Sequence, residues 1–124
     1  MSGRDVAEPG AEQGTEQGAE PPAGMIRHVV MWRVRGDTPA ERLANAQRVK
    51  TAFEALRGRV PGLRRLELGI DESGVDYACD VVLLSDFDDA ASLAAYAHHP
   101  EHLRARDAVA DLRITRHQVD YTAA

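Results

Sequence analysis

The chain has 124 residues, enough for one domain, and a net charge of −5, of which −4 falls in the first 24 residues, where Asp5, Glu8, Glu12, Glu16 and Glu20 are set against Arg4 alone. The rest is nearly neutral with dispersed arginines, which argues against nucleic acid as a partner, and no apolar run approaches the roughly 18 residues of a membrane span. A soluble protein follows, with the cytoplasm as the default location, and the single Cys79 rules out an internal disulfide.

Residues 7–22 repeat Ala-Glu-Pro-Gly, Ala-Glu-Gln-Gly, Thr-Glu-Gln-Gly and Ala-Glu-Pro-Pro without a large apolar side chain. Nothing there offsets the entropy of ordering the backbone, so residues 1–24 are expected to form a disordered acidic low-complexity tail, with the folded domain spanning 25–124. The tail has neither the apolar core of a signal peptide nor the composition of a transit peptide. A genuine leader and an over-extended start both fit it.

Ile26, His28, Val30, Trp32 and Val34 alternate as a first strand, with apolar residues on its other face as well. Thr38-Pro39-Ala40-Glu41 then predicts a helix start, with a capping hydroxyl and proline at the first helical position. Leu43, Ala46, Val49, Phe53, Leu56 and Val60 recur at three and four as its apolar stripe, which Gly58 or Pro61-Gly62 stops. Leu66 to Ile70 alternates as a second strand, Asp71-Glu72-Ser73-Gly74 reads as a hairpin loop, and Tyr77 to Ser85 forms the third strand, again two-faced. Asp88 or Asp89 caps a second helix, with Ala90, Leu93, Ala94 and Ala97 turned inward and Tyr96 beside them.

Pro100 disfavours helical geometry at His99, so this helix should end near His98 or His99 and a new turn begin at Pro100. His102 then folds back toward Tyr96 across the break. Leu103 to Val109 reads as a short helical stretch and Arg116 to Tyr121 as the last strand. The order βαββαβ predicts an α+β, ferredoxin-like plan, a four-stranded antiparallel sheet with helices on one face. The two-faced strands require something to cover the other face, and the simplest cover is a second copy, hence a homodimer.

Several short patterns occur together in order: Met25-Ile26-Arg27-His28-Val29-Val30, Val60-Pro61-Gly62-Leu63 before Glu67-Leu68-Gly69, Ser85-Asp86-Phe87, the corner from Tyr96 to His102, and Val119-Asp120-Tyr121. Over Met25 to Tyr121 the chain resembles the stress-responsive dimeric α/β-barrel (Dabb) family. The resemblance implies a homodimer whose two sheets pack face to face as a barrel. It also implies a site, because one branch of the family, the plant cyclase that forms olivetolic acid by an intramolecular aldol condensation, has its catalytic histidine where His102 stands. That branch has a tyrosine at the position of Tyr96 and a first-strand histidine at that of His28, whereas Val81 replaces a further pocket histidine.

In chemical terms His102 is a candidate general base for an acidic α-proton, with Tyr96 and His28 as its companions, and Trp32, Val81 and His99 are assigned to the pocket wall. A structural role competes for each: a corner hydrogen bond for His102, core packing for Tyr96, a hydrogen-bonded core position for His28. His98 and His102 lie four apart, but the proline break removes the helical register that a metal pair would use, so no metal site is expected. No phosphate loop, nucleophile elbow or dinucleotide fingerprint occurs, and no cofactor is expected. Two functions stay open, an accessory barrel protein that binds partners or a small apolar ligand, and a cofactor-free cyclase-like or monooxygenase-like enzyme acting on a small apolar carbonyl compound.

Overall fold

A computed structural model describes residues 23–123. The expectation of a tail over 1–24 therefore lies, except for its last two residues, outside the described residues. Strand β1 (Ile26–Val34) runs into helix α1 (Pro39–Glu54), strands β2 (Leu63–Ile70) and β3 (Val81–Phe87) follow, then helices α2 (Ala90–His98) and α3 (Pro100–Ala108), a 3-10 turn at Ala110–Leu112, and strand β4 (Arg113–Thr122). The sheet order is β2-β3-β1-β4, with every neighbouring pair antiparallel. This is the expected ferredoxin-like plan.

The helix-facing side is built by alternation. Val30, Trp32 and Val34 of β1, Leu66 and Leu68 of β2, and Val81, Leu83 and Phe87 of β3 pack against Ala46, Val49, Phe53 and Leu56. The Thr38 hydroxyl accepts the Glu41 N–H at 3.1 Å and starts α1 as its motif predicts, while the Glu41 carboxylate reaches back to the Asp37 N–H at 2.7 Å. Pro61-Gly62 turns the chain into β2, with Gly62 at φ +81°, where a Cβ would run into the Ser92 side chain.

Several boundaries differ from expectation. Leu43, placed in the α1 stripe, is 50% exposed. The inward stripe of α2 narrows to Leu93 and Tyr96, since Ala90, Ala94 and Ala97 are exposed. The third strand begins at Val81 instead of Tyr77. The Asp80 carboxylate accepts the Val34 N–H at 2.8 Å and closes the end of the ladder, leaving Tyr77 in the loop at 84% exposure. The second strand starts at Leu63, through an irregular step between Leu63 and Arg65, and the fourth at Arg113.

The other side of the sheet carries Val29, Met31, Val82, Leu84, Val119 and Tyr121, with no element among the described residues over them. Val119 is 61% exposed. Amid this apolar surface Arg27 makes two hydrogen bonds to Asp86, at 2.7 and 3.0 Å, which hold its guanidinium pKa above the ordinary arginine value.

Candidate active site

The corner between α2 and α3 is made by its proline. His99 takes an extended conformation (φ −68°, ψ 136°), as a residue before proline must, and so ends α2. Its ring then works as the cap of α3, with Nδ1 accepting the Glu101 N–H at 3.1 Å. One turn later His102 leans back onto α2, and its Nδ1–H donates to the Ala97 carbonyl at 3.2 Å, one of the carbonyls left over at a helix end.

That bond fixes the tautomer. A carbonyl can only accept, so the proton sits on Nδ1, and Nε2 carries the lone pair in the neutral ring. Nε2 has no protein partner among the described residues. Partial burial pushes the His102 pKa below its ordinary value, the Ala97 bond works in the opposite direction, and Arg106, His28 and Arg113 push it further down. The neutral ring, which can take up a proton, is thereby favoured near neutrality.

Tyr96 lies against this ring, 4.3 Å between centroids, and against Phe87 at 4.9 Å. It is 4% exposed, and its burial raises the phenol pKa against the pull of Arg116 and Arg113. The hydroxyl stays protonated and remains a donor. His28 completes the cluster from β1, its ring 6.1 Å from Tyr96 and edge-on to it. Its Nδ1–H donates to Asp120 Oδ1 at 2.6 Å, and the other Asp120 oxygen accepts from Gln118 Nε2 at 2.8 Å.

Tyr96 therefore lies between His28 and His102, in ring contact with each. Trp32 stands one ring away, stacked on Phe53 at 5.1 Å, and Phe53 is 6.4 Å from His102. Val81 lies beneath Trp32 as its cross-strand partner, fully buried in the core. His99 is close in sequence but spends Nδ1 on the helix cap. Asp120, which the sequence analysis does not assign to the site, is a further member of the cluster. Its signal is the register that sets it directly across from His28.

Arg116, Gln118 and Asp120 of β4 share a face with Trp32, Val30 and His28 in the register, yet all three are exposed, because the helices cover the other three strands and stop short of this edge. Two open hollows, about 420 Å³ beside Thr51 and Val109 and about 560 Å³ beside Gly36 and Ile114, lie along α1, and none of His28, Tyr96 or His102 lines either. Among the described residues no group of three His, Cys, Asp or Glu side chains is placed to hold a metal, and no helix is long and apolar enough to cross a membrane.

The model of the stress responsive A/B barrel domain family matches residues 26–123. A dimeric ferredoxin-like protein of unknown function from Bacteroides fragilis is similar at 33% identity over 81% of this chain and 97% of its own, with a TM-score of 0.71. A dimeric ferredoxin-like protein of unknown function from Thermobifida fusca is similar at 24% identity over 88% and 100%, with a TM-score of 0.72. SnoaB from Streptomyces nogalater, a cofactor-independent oxygenase, shares the fold at 22% identity over 82% and 95%, with a TM-score of 0.64. No curated protein matches the chain.

Proposed function

The chain belongs to the stress responsive A/B barrel domain family, and from that premise we propose that it is a homodimer in which each subunit binds a small, largely apolar carbonyl compound at the α2–α3 corner and removes an acidic α-proton with His102. The observation that carries this reading is the His102 ring itself, with Nδ1–H committed to Ala97 and Nε2 bare. A general base needs a lone pair, and a half-buried imidazole with one uncommitted nitrogen, held neutral by its lowered pKa, offers one. Tyr96 supplies a protonated hydroxyl beside it, suited to hydrogen-bonding a carbonyl oxygen as charge develops there. Asp120 orients His28, which closes the third side.

The dimer is supported by the uncovered apolar face around Met31 and Val119, and by the dimeric state of the Bacteroides and Thermobifida proteins. The likeness to SnoaB is one of fold, so oxygen chemistry is not carried over from it. The accessory-protein reading has its own support, since the corner side chains meet ring on ring and both hollows lie elsewhere.

Deuterium uptake at the α-carbons of phenylacetone in heavy water separates the two. The wild-type protein should speed exchange over buffer in proportion to its concentration, and His102→Ala should lower that increment by about 10²-fold or more, the scale of a lost general base. Equal exchange with both proteins would leave His102 as a corner hydrogen bond.

A further inference from the structure

Two arginines at the open edge of the corner have no acidic partner among the described residues. Arg113 begins β4 with its guanidinium over the rings of Trp32, 5.5 Å from the centroid, and Phe53, 5.8 Å. One terminal nitrogen donates to the Arg106 carbonyl at 3.2 Å, while its Nε–H is buried without any acceptor. Arg116 lies across from Trp32 in the register, on the face that also carries Gln118 and Asp120. It makes no ion pair among the described residues. The nearby acids are engaged elsewhere, Asp107 with Arg106 at 3.3 Å and Asp120 with His28.

A buried guanidinium donor without an acceptor is costly, and two cations gathered at one edge repel each other. Burial pushes the Arg113 pKa down, and Arg116 and Arg106 push it further. Both arginines also act on Tyr96, and Arg113 on His102, so the positive charge sits beside the proposed base. A carboxylate at this edge would meet the terminal nitrogens of the two guanidinium groups, in the planar, two-oxygen geometry that a guanidinium matches, while the sealed Nε–H of Arg113 stays out of its reach.

We propose that the edge of the corner selects an organic anion: its ligand carries a carboxylate, gripped by Arg113, which covers the rings of Trp32 and Phe53, and by Arg116 beside it. This rests on the corner being a ligand site and adds the chemical class of the ligand. It also divides the labour, since the arginines position the anion and His102 is left free to act on the carbonyl end.

Trp32 is the chain's single tryptophan, and its buried indole N–H has no partner, so its NMR signal and fluorescence report on this edge alone. Benzoate and benzamide serve as probes, alike in shape and different in charge. Benzoate should shift the Trp32 indole signal saturably in the millimolar range, with benzamide at least about tenfold weaker. Arg113→Gln and Arg116→Gln should each weaken benzoate about tenfold toward the benzamide level, Arg113→Lys should fall between, and Arg48→Gln on the exposed side of α1 should leave it unchanged. Should Arg113→Gln fail to fold, Arg116→Gln decides, since its side chain is exposed on an edge strand. No saturable shift with benzoate, or benzoate binding indifferent to the arginine variants, overturns the proposal. Equal binding of both probes also overturns it but leaves the corner as a ligand site, and the exchange experiment with phenylacetone reports on the base separately.

Discussion

A histidine with one nitrogen given to a backbone carbonyl has its chemistry decided by the other. In His102 the partner is Ala97, five residues back across a proline break, so the local chain sets the tautomer without help from a distant carboxylate. The depressed pKa has a thermodynamic consequence. The unfolded chain gains a proton near the ordinary value of 6.5 while the native ring still resists it, so stability is unaffected well above that pH and falls as pH drops through 6.5 toward the lower native value. Melting temperatures followed from about pH 8 down to about pH 5 should therefore decline more steeply for the wild type than for His102→Gln. Parallel profiles would show that the ring titrates as it does in a free chain. The pairing of His102 with Tyr96 was legible in the sequence because proline dictates it locally. Asp120 was not, since its bond to His28 joins residues 92 apart through the β1–β4 register, which alternation alone does not fix.

At the scale of elements, caps and breaks were the legible features and ends of strands were not. Thr38, Asp89 and Pro100 act through bonds within a few residues of themselves, and each lies where its motif put it. The start of β3 depends on the Asp80 carboxylate taking an N–H from β1, a tertiary fact. Thr38→Ala should lower stability by about 1 kcal/mol in denaturant melts, the usual cost of losing a helix cap, without moving the Trp32 fluorescence, because α1 is held along its length by Ala46, Val49 and Phe53. A loss several times larger would mean that the cap organises more than its own helix.

The described residues form a two-layer sheet-and-helix unit, with helices on one face of the sheet and an uncovered apolar patch around Met31 and Val119 on the other. The two-parity strands pointed to this in the sequence, and the exposure of Met31 and Val119 gives it a surface. Light scattering should give twice the chain mass at micromolar concentration, and Val119→Arg, which puts a charge on that face, should shift the mass toward the monomer with loss of stability, as expected of an apolar obligate interface. A wild-type monomer of native spectrum would mean the face is tolerated in water. The proposed site lies within a single subunit, between its own sheet and its own α2–α3 corner, on the side of the sheet opposite Met31 and Val119. The most direct test of the whole account is nitrogen-15 NMR of the histidine rings in the intact protein near neutral pH. His102 should show a protonated Nδ1 and a bare, unprotonated Nε2 whose signal moves when a ligand enters. A ring protonated at Nε2, or a charged ring at that pH, would contradict its role as the base.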